Sequence, residues 1–341
     1  MFVRLKTETR AWNDFIRNNT VMVFHTPTWK SFIEATFPSV TMEYWAHTQG
    51  TNIQTLFPLT LIRHTLGKKL ISCGFIEYGG IAGDPTHAEA LITAVLQEHT
   101  DYDYLEIRHG TITTSEIKNI IRTTPYKRFL TPLGDKETLW HSINKHKRKA
   151  VRKAEHSGVT VRELSQHDVN AIYSLYVNNM KLFGSPPLSK NFFINFFSIL
   201  RNKNLAKAFG SFYKEKLISV LMGYVIKKRI HISINVSDKK FQEFRPNDLV
   251  HWKFMEWGCE NGYEVFDWGR VREQSGQFGF KKKWASHMED LDHYYVLLKA
   301  HKIPHIDPTN PRYKLFIKTW SIMPAVLSKR IGHWFRTGLG I

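Results

Sequence analysis

The sequence is poor in cysteine and carries none of the common short catalytic signatures. Only Cys73 and Cys259 occur in 341 residues, too few for a disulfide framework and in keeping with a reducing compartment. Small core residues are their simplest role. No Walker A, G-x-G-x-x-G, G-x-S-x-G, H-E-x-x-H or C-x-x-C is present, which removes the motif case for P-loop, dinucleotide, α/β-hydrolase, zinc-protease and dithiol chemistry. The 17 histidines fall in no recognised ligand spacing, so no metal is expected. No apolar run approaches the ~18 residues of a spanning helix. The most apolar stretch, Asn191–Leu200, is short, and the opening MFVRLKTETRAW has no apolar signal core. A cytosolic protein is expected.

Acidic residues are also scarce. Asp and Glu total 30 against 48 Lys and Arg, a formal charge of +18 and a pI near 9.7. Such a field recruits polyanions: nucleic acid, anionic lipid, or substrates bearing phosphates. Hydrophobic residues make up 42%, enough for one or two folded cores.

A mixed α/β pattern runs through the chain twice. Thr41–His47, Ile53–His64 and Leu70–Phe75 alternate in strand fashion between Gly-bearing turns. A helix over Thr86–His99 follows, with Leu91, Ile92, Val95 and Leu96 on one face, and then a strand over Asp101–Gly110. The second half repeats the order. Ala206–Asp238 reads as three strands, Asn247–Asn261 as a helix and Gly262–Arg270 as a strand. Meander, helix, strand, used twice, predicts a tandem duplication, with domains at 1–134 and 135–300 and a tail at 301–341. Between the halves, one charged helix is expected from Asp135 to Gly158, with six Lys or Arg among Lys145–Lys153. The tail mixes apolar and basic residues over Lys314–Arg336, and Pro324 should break it.

Three constellations could carry chemistry. In the basic helix, Arg148 and Arg152 lie one turn apart and could hold one phosphate; the competing reading is a solvated face. In Phe266–Ser286 a strand ends in a Gly-containing loop that leads to Phe280, Lys281 and Trp284. A lysine held between aromatics there could polarise a carbonyl; the alternative makes Phe280 and Trp284 core anchors. In Gly74–Asp84 the pair Gly79–Gly80 after Tyr78 permits close backbone approach to a ligand, or makes a tight turn.

Together, YGGIAGD (78–84), HKRKAVRKAEHSGVTVRE (146–163), PNDLVHWKFMEWGCENGYEVFDWGR (246–270) and GQFGFKKKW (276–284) resemble the FemAB-like branch of the GNAT acyltransferase superfamily. The tail NPRYKLFIKTWSIMPAVLSKRIGHWF (310–335) is similar to that of FemAB-like proteins associated with exosortase and exopolysaccharide loci. The resemblance implies tandem GNAT-like domains and transfer of an acyl or aminoacyl group to an amine acceptor on a cell-envelope or exopolysaccharide precursor. It implies no tightly bound cofactor and a donor that is either a charged tRNA or an acyl-CoA. It implies that Lys281 supports the reacting carbonyl, with Arg270 orienting a substrate anion and Asp267 a candidate proton acceptor. Candidate substrate contacts are Tyr78, Gly79, Gly80, Lys147, Arg148, Arg152, Trp252, Phe280 and Trp284. The chain departs from the branch in two ways. Gly158 runs straight into VTVRELSQHD with no room for the helical hairpin of the staphylococcal enzymes. No Arg/Gln-x-x-Gly-x-Gly/Ala occurs, the loop that cradles the CoA diphosphate at a helix N-terminus.

Two other readings stay open: a nucleic-acid or polyanion-binding module without catalysis, and a tail resting on a membrane. The alternative for the tail packs Trp320 and Trp334 on the second domain.

Overall fold

The computed structural model describes residues 1–109, 117, 119–303 and 311–341, with the side chains of 311–314 excepted. The chain packs as two compact units. One comprises Met1–Tyr126, Asp290–His305 and Phe335–Ile341; the other comprises Lys127–Glu289 and Ile306–Trp334. The division falls inside strands rather than in the 134/135 loop read from composition, and the tail contributes to both units. Part of the expected Asp101–Gly110 strand, Gly110, lies outside the described residues.

The first unit opens with β1 (Phe2–Leu5), α1 (Arg10–Asn18) and α2 (Pro27–Thr36). Thr26 caps α2 through its hydroxyl, and Pro27 fills the first helical turn, where a missing N–H costs nothing. The meander is β2 (Val40–Gln49), β3 (Asn52–His64) and β4 (Gly67–Ile71), followed by the short β5 (Ala82–Gly83) against β3. Then come α3 (Ala88–Glu98) and β6 (Tyr104–Arg108). The next strand, β7 (Ile120–Pro132), carries the chain into the second unit.

There the charged region is two helices, not one: α4 (Lys136–Ser142) and α5 (Lys145–His156). Ile143 leaves helical geometry with ψ 141°, and the Asn144 side chain caps α5 by accepting from His146 N. An Asn within a helical pattern competes for backbone groups and restarts the helix. Asp135 caps α4, and Gly158 follows α5 at φ +79°. Then follow β8 (Thr160–Glu163), α6 (Val169–Leu182), α7 (Lys190–Asn195), β9 (Ala206–Tyr213), β10 (Lys216–Ile226), β11 (Arg229–Ser237), α8 (Pro246–Glu260), β12 (Val265–Val271) and α9 (Gly276–Lys281). Strand β13 (His287–Leu297) returns the chain to the first unit. The tail forms α10 (Pro311–Ile322) and α11 (Ala325–Leu339), broken at Pro324 as expected.

Each unit has the same strand order. The first runs β1-β2-β3-β4-β6-β13, the second β8-β9-β10-β11-β12-β7. In each, three antiparallel strands lead through a helix into one parallel pair. That pair is β4 with β6 in the first unit and β11 with β12 in the second. The helix between is α3 or α8, and its apolar residues close a core. Leu91, Ile92 and Val95 pack with Phe57, Leu70 and Leu105 in the first unit. Leu249, Phe254 and Met255 pack with Leu221, Phe266 and Trp268 in the second. The duplication read from the sequence is thus present strand for strand.

Glycine is required at Gly83, where φ is +91° and an added Cβ would collide with the Gln54 carbonyl. Gly83→Ala should destabilise the protein by about 2 kcal/mol or more. A fall in thermal midpoint with unchanged far-UV circular dichroism in the cold is the expected result.

Candidate functional site

In open α/β sheets the crevice beyond the carboxyl ends of parallel strands is where ligands sit. In the second unit this crevice lies past His231 of β11 and Asp267 of β12. Strand β12 shifts register against β7 between Asp267 and Arg270, and Gly269 sits at φ +66°. The bend frees a run of carbonyls from sheet pairing. The Lys281 ammonium occupies them, donating to Trp268 O at 2.5 Å and Arg270 O at 3.0 Å, with Gly269 O at 3.4 Å. Lys281 ends α9 and is 8% exposed. It is therefore a buried cation fixed at the end of the parallel pair.

Asp267 is fully buried. One carboxylate oxygen accepts from Arg229 at 2.8 Å and the other from the Gly269 N–H at 3.0 Å. Both oxygens are engaged in holding the bend, so this geometry suits structure better than the proton acceptance expected of it. Arg270 is half-buried and follows the bend.

Lys147 comes from α5 to the same core. Its ammonium meets Asp248 of α8 at 2.5 Å, stands 3.5 Å from the Phe280 ring centroid and 5.4 Å from that of Trp284. Burial pulls Lys147 below its ordinary pKa, and the Asp248 carboxylate opposes that. Lys147, a candidate substrate contact, spends its charge inside the unit on a carboxylate and two ring faces. Arg148 donates to His141 O at 3.0 Å, closing the end of α4. Arg152 is exposed, with its guanidinium carbon 5.6 Å from the Trp140 ring. Trp140 in turn packs on Trp252 at 4.5 Å. Lys147, Trp252, Phe280, Lys281 and Trp284 are thus drawn into one cluster.

Sequence reasoning missed two residues of that cluster, Asp248 and His251. Both stand on α8, and both are buried although the helix is apolar around them. That mismatch was their signal. The His251 ring lies parallel to Trp268 with centroids 4.9 Å apart, and its Nδ1 is 2.6 Å from Asn247 O. The bond to a carbonyl makes Nδ1 the protonated nitrogen. Burial, reinforced by the Lys147 and Lys281 charges, pulls the His251 pKa from 6.5 to about 3.

Tyr78, Gly79 and Gly80 belong to the first unit. Tyr78 is buried. A Cβ at Gly79 would run into the Phe24 ring and the Cys73 sulfur, and the Gly80 carbonyl is 3.0 Å from His25 Nε2. The close approach expected for a ligand is made by the unit's own core. The first unit's crevice, past Ile71 and Glu106, is also filled. There Lys69 donates to Gly338 O at 2.5 Å. Arg108 donates to Ile76 O at 3.0 Å and Gly340 O at 3.1 Å. Phe75 N also donates to Gly340 O. Burial alone would raise the Glu106 carboxyl, but Arg108 and His293 outweigh it and hold it well below the carboxylate range.

Two measurements follow from the second unit's cluster. Lys147→Met leaves Asp248 as an uncompensated buried charge and should cost about 3–5 kcal/mol; adding Asp248→Asn should return much of the loss. Additive losses in urea unfolding would contradict the pairing. For His251, the unfolded chain takes up a proton near pH 6.5, whereas the folded one resists until about pH 3. Its contribution is whole above pH 6.5 and is lost as pH falls toward 3, at up to about 1.4 kcal/mol per pH unit. His251→Phe should flatten the decline of the urea midpoint between pH 7 and 4.5; an unaltered slope would show that another group governs it.

Residues 142–282 match the family model for the acetyltransferase (GNAT) domain. No curated protein matches the chain. Among solved structures, the crystal structure of FemX matches with a TM-score of 0.70 at 12% identity, over 92% of this chain and 100% of that one. A tandem GNAT protein from the clavulanic acid biosynthesis pathway matches at 0.58 and 10% identity, over 89% and 99%. The C-terminal domain of a putative lysylphosphatidylglycerol synthetase from Agrobacterium fabrum matches at 0.55 and 12%, over 84% and 90%. The two strand-for-strand units and these likenesses agree on a tandem GNAT fold, in which residues 142–282 match the GNAT acetyltransferase domain model.

Proposed function

We propose that the protein transfers an activated acyl or aminoacyl group to an amine on a cell-envelope precursor, and that the reaction runs at the crevice of the second unit. The observation that carries this reading is the buried Lys281 at the end of the parallel pair in the second unit. In the first unit the chain's own Gly338 and Gly340 carbonyls take the cations at the strand ends. In the second, the local carbonyls of Trp268 and Arg270 take Lys281, and the cluster of Lys147, Phe280, Trp284 and Trp268 lies beside it. The names of two structural relatives, FemX and a lysylphosphatidylglycerol synthetase, favour an aminoacyl donor and an envelope acceptor.

The chemistry asked of the protein is modest. The acceptor amine attacks the carbonyl carbon, a C–N bond forms, and the ester or thioester bond breaks with its electron pair leaving on oxygen or sulfur. The amine's proton passes to the leaving group through water or a substrate phosphate, since Asp267 is committed elsewhere. Charge builds on the carbonyl oxygen in between, and a fixed cation beside it lowers the barrier because it need not reorganise. Lys281 is the candidate. Releasing one strand-end carbonyl would turn one ammonium N–H toward that oxygen. Positioning of donor and acceptor supplies the remainder.

A loop of the CoA-diphosphate type is absent before α8. The chain enters that helix through Arg245, at φ +58°, and Pro246, with no glycine to expose successive amides. This favours the charged-tRNA donor over acyl-CoA.

Lys281→Ala should lower turnover about 10²–10³-fold, while Lys281→Arg should keep the charge and part of the rate. Labelled aminoacyl-tRNA and labelled acyl-CoA, offered separately with an amine-bearing, diphosphate-linked acceptor, give the readout. Turnover by a folded Lys281→Ala protein at the wild-type rate would remove the lysine from the reaction; transfer from neither donor would remove the function.

A further inference from the structure

The second unit carries large apolar side chains that nothing in it covers. Leu182 and Phe183, at the end of α6, are 61% and 64% exposed; Leu315 and Ile322 of α10 are 65% and 72% exposed; Val326 of α11 is 70% exposed. Single exposed apolar residues mean little, but a grouped set marks an interaction surface. These are grouped. Helix α10 packs on the end of α6, where Gly184 lies so close to the Ile317 backbone that a Cβ would not fit. Leu315 and Ile322, seven positions apart, share a face of α10. Trp320 and Ser328 point the other way, into the unit.

Basic residues border this surface. A cleft of about 770 Å³ opens between the end of α6 and the start of the segment after β11, reaching Leu182 and Ser321. It is lined by Lys181, Lys216, Lys239 and Lys240. Asp238 also lines it, paired with Lys216 at 3.1 Å and feeling the Lys240 charge; Lys181 and Lys239 have no ion-pair partner among the described residues. Residues 311–341 contain six Lys or Arg and no Asp or Glu. Lys318, Lys329 and Arg330 are exposed on the same two helices as the apolar residues.

We infer that this face of the second unit docks on an anionic lipid bilayer, with the apolar side chains entering the headgroup boundary and Lys181, Lys239 and Lys240 meeting lipid phosphates. Charge complementarity selects that occupant. A protein partner would need an acidic and apolar face together, whereas a bilayer of anionic lipid supplies both chemistries in one plane. Helices of 12 and 15 residues are too short to cross the ~20-residue hydrocarbon span, so they lie on the surface. The inference deepens the proposed function, because an envelope precursor anchored in lipid would then be met at the bilayer. It rests on different residues from those of the reaction.

Flotation of the full-length protein with vesicles tests it. The probes are phosphatidylcholine vesicles with and without 30 mol% phosphatidylglycerol, free of substrate. Wild type should float with the anionic vesicles, lose binding as salt rises, and ignore the neutral ones. The triple variant Lys181→Glu, Lys239→Glu, Lys240→Glu should bind on the order of a hundredfold more weakly. Leu182→Ser with Phe183→Ser and Ile322→Ser should lose binding at low salt as well. All six positions are exposed, and unchanged thermal midpoints would certify the fold. Lys281→Ala should still float, which separates this result from failure of the proposed reaction. Equal recovery of wild type with neutral vesicles, or wild-type flotation by both surface variants, would overturn the inference. So would displacement by micromolar inorganic phosphate, which would make the cleft a small-anion site.

Discussion

A main-chain carbonyl that leaves a sheet must find a donor, and in each unit the donor at the end of the parallel pair is a buried cation. Lys281 serves the bend at Trp268–Arg270. Arg108 and Lys69 serve the corresponding place in the first unit. Burying a lysine or arginine is costly unless its N–H groups are satisfied; carbonyls at the bulge do this for Lys281, whereas in the first unit the Glu106 carboxylate also pairs with Arg108 at 3.0 Å. The arrangement leaves net positive charge in a low-dielectric setting, which is the field an acyl-transfer intermediate would use. The remaining features of the second unit's site are arranged around that field.

The aromatic cluster shows how the field is contained. Lys147 and Lys281 both lie near His251, and the imidazole stays neutral because charging it would add a third buried cation. Asp248 compensates one of the two lysines. The rings of Phe280 and Trp284 offer their faces to Lys147, and Trp268 packs on Trp284. A neutral histidine, a lysine on a carboxylate and a lysine on main-chain carbonyls thus share one small volume.

Much of this was legible from pattern alone. Alternation gave the meanders, the heptad-like spacing of Leu91, Ile92 and Val95 gave α3, and Pro324 marked the break in the tail. The repeat of meander, helix and strand predicted the duplication. Lys281 stood out because aromatics flank it beyond a Gly-bearing loop, and it is indeed drawn into the core. What the sequence hid was long-range. That Lys147 turns inward depends on Asp248, 101 residues away, and no local pattern distinguishes it from its solvated neighbours. The split between α4 and α5 turned on one Asn. Gly79 read as a place for a ligand, but the approaching group is Phe24, from 55 residues earlier in the chain. The roles of Arg148 and Asp267 were likewise set by partners that spacing cannot reveal.

The last residues of the described chain have an unusual standing. The carbonyls of Gly338 and Gly340 satisfy two buried cations whose strands lie more than two hundred residues earlier in the chain. The first unit therefore cannot close its polar interior until residues 338 and 340 have been made. A nascent chain must hold that half open, with Lys69 and Arg108 hydrated, throughout synthesis of the second unit.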